Sequence, residues 1–214
     1  MRDFPIFDTE YGVASLFLEE IPYKKEAYIR MLDVCGDGFE EHLKECVSFC
    51  RMCGAEKIYA ADHEKLEAYP PAFSLLEMRG TAWVDTEKLK HLFPVTEATA
   101  AQWRQIHNEK LRPVDGSATL TSREEKAILE SGGAYFVHDS GDLLGIGWVT
   151  APELKAVAAV KPGAGEAVMH TLMSLMEGGR MQLEVASTNR RAISFYQKMG
   201  FLVTGEKTRS YRIL

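Results

Sequence analysis

No stretch of this chain is apolar for as long as a membrane helix requires, about 20 residues. The N-terminus, MRDFPIFDTEYG, carries acids early and no long apolar core, so it does not read as a signal peptide. Positive charge is also short. Lys and Arg number 25 against 31 Asp and Glu, a net charge of −6. Broad nucleic-acid binding needs a basic surface, and this chain offers at most a local groove around Arg190 and Arg191. Cysteines number four in 214 residues, and without an export signal they read as reduced thiols of a cytoplasmic protein. The expected partners therefore include no membrane and no nucleic acid. What is present is an ordinary globular composition, 46% hydrophobic and 26% charged, at a length that fits one large or two small domains.

Three of the cysteines are clustered. Cys46, Cys50 and Cys53 spell C-x-x-x-C-x-x-C, a spacing that can hold an iron–sulfur cluster. Convergent thiolates need a loop, and no Gly or Pro interrupts this run. Positions i, i+4 and i+7 share one helix face, where free cysteine packs as a small hydrophobe. Zinc with His42 or His63 as a further ligand lacks a paired C-x-x-C knuckle. No metal is expected.

The periodicities predict an α/β chain with a mixed sheet. Strands at 11–19 and 27–34 form a hairpin around the break at Pro22. A helix over 39–53 turns Leu43, Cys46, Val47, Cys50 and Cys53 inward, and Gly54 ends it. A strand at 57–61, a short helix at 62–68 and a strand at 72–78 follow. Residues 81–90 read as a linker with a helical turn. Beyond it come a strand at 91–94 and a helix capped by Thr96, with Ala100, Trp103, Ile106 and His107 inward. A second helix opens on the capping box Ser122-x-x-Glu125. A hairpin spans 134–138 and 143–150, and the apolar strand 153–160 suits the middle of a sheet. Lys161-Pro162-Gly163-Ala164-Gly165 leads into a helix to Met176, and Gly205 is expected to turn the last strands back on each other.

The stretch 183–201, LEVASTNRRAISFYQKMGF, is the most informative. It reads as a strand, a polar turn and a helix with Ala192, Tyr196 and Met199 on one stripe, ended by Gly200. Leu183-Glu184-Val185, Asn189, Ala192, Tyr196 and Gly200-Phe201 stand in the order and spacing of the C-terminal signature of the GNAT N-acetyltransferase superfamily, which this stretch resembles. The resemblance covers 91–214 and implies the GNAT acyl-CoA N-acyltransferase fold there. It implies an acetyl-CoA cosubstrate and transfer of the acetyl group, by direct attack, to a primary amine of a small-molecule or peptide acceptor. The acceptor pocket of such a fold would come from about 103–120 and 139–142. There Asp115, Asp139 and Asp142 would suit a cationic amine.

The same resemblance assigns roles. Ala158, Ala159 and Val160 would pair with the pantetheine arm, and Lys161, Gly163, Ala164, Gly165 and Glu166 would surround the pyrophosphate. Asn189 would contact the arm, and Tyr196 would serve as general acid. Glu153 is the candidate base, with Glu184 second, while His138 reads as a surface residue of an edge strand. The loop departs from the family pattern. It is about five residues short and lacks the usual Arg or Gln, leaving Lys161 to supply charge. The alternative is therefore a catalytically inactive binding or regulatory module of the same fold. A homodimer is left open.

An internal echo completes the picture. Gly36-Asp37-Gly38 stands where Gly163-Ala164-Gly165 stands, and GAEKIYAAD from Gly54 stands where GRMQLEVAS from Gly179 stands. The expected organisation is a tandem pair: a truncated, degenerate GNAT-like unit over 1–80 serving as scaffold, a linker at 81–90, and the GNAT domain over 91–214.

Overall fold

The computed structural model describes residues 5–176 and 178–214. They form two compact units, residues 5–75 with Glu206–Leu214, and Leu76–Gly205. The division does not fall at the expected linker. It falls inside two long strands, β5 and β11, each of which begins in one unit and ends in the other.

The first unit opens with β1 (Ile6–Thr9), β2 (Gly12–Phe17), a single helical turn α1 (Ile21–Lys24) and β3 (Glu26–Val34). Then come α2 (Phe39–Met52), β4 (Lys57–Ala61), a 3-10 turn at Glu64–Ala68 and the start of β5 (Pro71–Thr81). The end of β11 (Leu202–Arg212) completes it. Strand order is β1-β2-β3-β4-β11. β1, β2 and β3 form an antiparallel meander, and β3 pairs with β4 in parallel across α2. β1 had no sequence signal, because it is a short edge strand that alternates only between exposed and half-buried residues. Glu40 and Glu41 in the first turn of α2 and Arg51 in the last complement its dipole. Phe39, Leu43, Cys46 and Cys50 of α2 are buried over Leu16, Ile29 and Ile58. Burial pushes both thiols up to about 12, so they are protonated packing groups. Cys53 departs from the expected face and is exposed, because the helix ends at Met52. His42, also buried, lies 2.9 Å through Nδ1 from Thr9 Oγ1.

The second unit takes up the end of β5, then a 3-10 turn at Thr86–Lys88, β6 (His91–Pro94), α3 (Ala100–Leu111), α4 (Ser122–Ser131), β7 (Ala134–Asp139), β8 (Asp142–Thr150) and β9 (Glu153–Ala159). It continues with α5 (Gly165–Met173), which runs into a 3-10 turn at Ser174–Met176, then β10 (Arg180–Ala186), α6 (Arg190–Lys198) and the start of β11. Strand order is β5-β10-β9-β8-β7-β6. Two apolar layers sandwich this sheet. One, under α5 and α6, holds Val168, Met169, Leu172, Leu183 and Phe201. The other, under α3 and α4, holds Trp103, Ile128, Phe136 and Ile146.

Three local expectations need correction. α3 starts at Ala100, because Thr96 N–H donates to Thr99 Oγ1 at 2.9 Å and closes a separate turn first. The capping box of α4 is Thr121 with Glu124, one residue earlier than expected. Glu125 instead takes Arg104 at 2.6 Å. Gly205 lies inside β11, Leu202–Arg212, and does not turn the chain back.

In both units the strand beyond the parallel pair comes from the other half of the sequence. Beside β4 of the first unit lies the end of β11, and beside β10 of the second lies the end of β5. Among the described residues no helix is long and apolar enough to cross a membrane.

α5 sits close on β8 because β8 has glycines beneath it. A Cβ at Gly145 would lie 2.6 Å from Ala158 O and 2.7 Å from Val168 Cγ2. Gly145→Ala is expected to cost about 1–3 kcal/mol of stability, seen as a lower thermal midpoint. An unchanged midpoint would mean that β9 and α5 give way freely here.

Candidate active site

β9 carries a bulge. Its antiparallel register with β8 jumps from Trp148↔Ala156 to Val149↔Leu154, leaving Lys155 as an extra residue. Burial agrees. Leu154 packs in the layer under α5 and α6, whereas Ala156, two residues on, packs under α3 and α4. Without a bulge both would share a face. Lys155 lays its ammonium over the Trp148 ring, 5.0 Å from the centroid.

The other edge of β9 faces β10. Their parallel ladder has two pairs, Gln182↔Glu153 and Leu183↔Leu154, and stops where the bulge begins. Among the described residues, no strand is laddered to that edge of β9 from Ala156 to Ala159. The parallel ladder of the first unit, β3 with β4, runs unbroken through five pairs. So the second unit has a gap at the carboxyl ends of two parallel strands, the place where open α/β sheets receive ligands, and the first unit is zipped shut there.

The gap leads to the N-terminus of α5. Val160 and Lys161 both donate their N–H to Leu144 O, at 2.8 and 3.2 Å, which fixes the end of β9. Gly163 then turns the chain at φ +82°. The N-cap of α5 is Ala164, which makes no side-chain cap. α4 and α6, by contrast, are capped by Thr121 and Asn189. The leading N–H groups and dipole of α5 are therefore left for an anion. The expected cation is committed elsewhere, since Lys161 Nζ lies 2.5 Å from Asp142 Oδ2. Glu166, in the first turn of α5, instead meets Lys88 Nζ at 2.6 Å. That contact holds the Glu166 carboxyl below the usual carboxylate range, with smaller help from His170 and Lys198.

α6 follows β10. Asn189 caps it, its Oδ1 accepting from Ala192 N–H at 3.2 Å. Tyr196 is half-buried, with its ring centroid 5.7 Å from that of Phe195 and 6.1 Å from that of Phe201. Among the described residues its hydroxyl has no hydrogen-bond partner. Burial pushes the phenol up to about 12.

No family model matches the chain, and no curated protein matches it in sequence. Solved structures do match it. A GCN5-related N-acetyltransferase from Sphaerobacter thermophilus aligns with a TM-score of 0.57 at 14% identity, over 94% of this chain and 75% of that one. An acetyltransferase of the GNAT family from Colwellia psychrerythraea gives 0.51 at 11%, over 97% and 84%. The fold is that of the GNAT acetyltransferases. A functionally unknown conserved protein from Staphylococcus epidermidis gives 0.57 at 9%, over 99% of this chain and 94% of that one.

Within this GNAT fold, the expected site residues separate into two groups. Ala158, Ala159, Val160, Gly163, Ala164, Gly165 and Glu166 lie together along the open end of β9 and the start of α5. Glu153 does not join them. It is exposed at the closed end of the ladder, where Gln182 Nε2 donates to it at 3.3 Å, about 17 Å along the strand from Ala158. Glu184 is exposed on β10. His138 stacks on His91 at 5.4 Å, in the edge pair β6–β7. Lys88 and the bulged Lys155 were not foreseen. Lys88 stands in what reads as a linker, and a bulge is set by cross-strand register, which local periodicity does not carry. Among the described residues, no group of three or more His, Cys, Asp or Glu is placed to hold a metal ion.

Proposed function

We propose that the second unit is an acetyl-CoA-dependent N-acetyltransferase acting on a primary amine of a small-molecule or peptide acceptor. One observation carries this reading: the bulge at Lys155 coincides with the end of the β9–β10 ladder, and β9 then runs to an uncapped α5. An extended arm bearing amides can add to a free strand edge as another strand does, so Ala158, Ala159 and Val160 would take the pantetheine. Gly163, Ala164 and Gly165 would bring main-chain N–H groups close to the pyrophosphate. These residues fit the group chemically, and Lys161 beside them pairs with Asp142 in the free protein.

The amine nitrogen would attack the thioester carbonyl, and Tyr196 would give its proton to the sulfur as the C–S bond breaks. A phenol held near 12 keeps that proton at neutral pH, which suits a donor rather than a base. Because Glu153 lies at the closed end, the amine proton is assigned to water, and solvent returns a proton to the Tyr196 phenolate before the next turnover. The first unit we take as a truncated copy of the same unit. Its order β2-β3-α2-β4 repeats β8-β9-α5-β10, and its zipped ladder leaves it as scaffold.

The test is calorimetric titration of the full chain with acetyl-CoA and with CoA, followed by a screen of primary amines for acetyl transfer. Micromolar binding of both ligands is the expected result. No binding at millimolar ligand would sink the enzyme reading and leave a non-catalytic module of the same fold.

A further inference from the structure

We propose that Lys88 is the cation that receives the phosphates at this site, with Glu166 holding its place in the free protein. The proposal rests on the acetyl-CoA reading above and adds a residue from outside the β9–α5 loop. The loop has one cation of its own, Lys161, which pairs with Asp142 at the surface, and Lys88 stands as a second cation at the first turn of α5. α5 starts with a carboxylate where a phosphate would sit, and that carboxylate is paired with Lys88.

The segment carrying Lys88 is pinned along α5 on both sides. Asp85 N–H donates to His170 Nδ1 at 3.3 Å, and Lys90 N–H donates to Thr171 Oγ1 at 3.0 Å. Ala82 N–H donates to Gly179 O at 2.9 Å, beyond the far end of the helix. Lys88 is thus held beside the first turn of α5 before any ligand arrives, so little ordering remains to be done on binding.

The exchange of partners is cheap. Lys88 and Glu166 are 41% and 57% exposed, and Asp85 stands 3.9 Å from the same ammonium. Ion pairs this open contribute little. A pyrophosphate brings more charge and more acceptor oxygens than one carboxylate, and charge-assisted bonds to it are the stronger kind. Lys88 would leave Glu166 for the phosphates, and Glu166, now facing an anion, would oppose binding.

The two residues should therefore act with opposite signs. Titration with CoA and, separately, with phosphate-free S-acetylpantetheine tells the effects apart. Lys88→Ala should weaken CoA about tenfold, the size of one charge-assisted contact, and leave S-acetylpantetheine unchanged. Lys88→Arg should restore most of the loss. Glu166→Gln should tighten CoA severalfold and also leave S-acetylpantetheine unchanged. If Lys88→Ala binds CoA as wild type does, or loses both ligands equally, or if Glu166→Gln weakens CoA, the assignment of Lys88 is overturned while the acetyl-CoA site stands. If the wild type binds neither ligand, the site reading itself fails, and the Lys88 assignment with it.

Discussion

Replacing Tyr196 with Phe is expected to lower acetyl transfer about a hundredfold while leaving acetyl-CoA affinity and stability nearly unchanged. The three parts of this expectation have separate grounds. Removing a positioned general acid typically costs two to four powers of ten, and the lower end suits a leaving thiolate that needs only partial protonation. Affinity should hold because the hydroxyl is needed as the sulfur departs, and the ring that packs against Phe195 and Phe201 is kept by Phe. Stability should hold because the hydroxyl makes no bond within the described residues, so its loss leaves no partner stranded. A kcat that falls with KM unchanged supports the acid. If instead the variant turns over at the wild-type rate, Tyr196 is a core aromatic and the thiolate takes its proton from water. The phenol would itself ionise only near pH 12. Across ordinary buffers the wild-type rate should therefore show no falling limb that belongs to Tyr196.

Much of this was legible because it is local. The strand at 91–94, the helix at 190–198 with its αL Gly200 at φ +88°, and the inward Trp103 and Ile128 all follow from short-range periodicity and capping. What escaped depends on partners distant in sequence. β1 exists because β2 offers an edge. β11 is one strand from Leu202 to Arg212 with a place in the sheet between β4 and β5, neighbours that its local sequence does not reveal, so Gly205 makes no turn. The unit boundary could not be placed for the same reason. A strand that serves two units looks continuous in sequence. At the site, the Gly163-Ala164-Gly165 turn could be read directly, and so could the signature helix. The bulge at Lys155 could not, since apolar strands such as ELKAVAA share one pattern with and without a bulge. Lys88 is the clearest case. The sequence offered Lys161 for the loop's charge and gave no sign that Lys88, from a segment read as a linker, pairs with Glu166 of α5.

Trp103→Ala should cost the second unit about 3–5 kcal/mol of stability, the largest effect of any single change considered. Trp103 is fully buried. Its ring stacks on His107 at 5.5 Å and meets Trp148 edge-on at 6.3 Å, and its Nε1 donates to Tyr135 O at 3.0 Å. Truncation removes an entire side chain from the layer under α3 and α4, where the stiff β7–β8–β9 sheet cannot close over the hole. It also strips the donor from a carbonyl of β7. Trp103→Phe keeps most of the apolar contact and loses the donor, so it should cost about 1–3 kcal/mol. The pair separates packing from hydrogen bonding by denaturant unfolding of the intact chain. The effect should reach the site as well. Trp148 stands between Trp103 and the bulge, with Lys155 on its ring, so loosening Trp103 frees Trp148 and with it the residue at which the β9–β10 ladder ends. CoA binding by Trp103→Ala should therefore weaken at temperatures where the chain is still folded. A loss of stability below about 1 kcal/mol would show that the α3–α4 layer does not hang on this residue. Full stability loss with unchanged CoA affinity would show that the bulge is held from the β8 side alone.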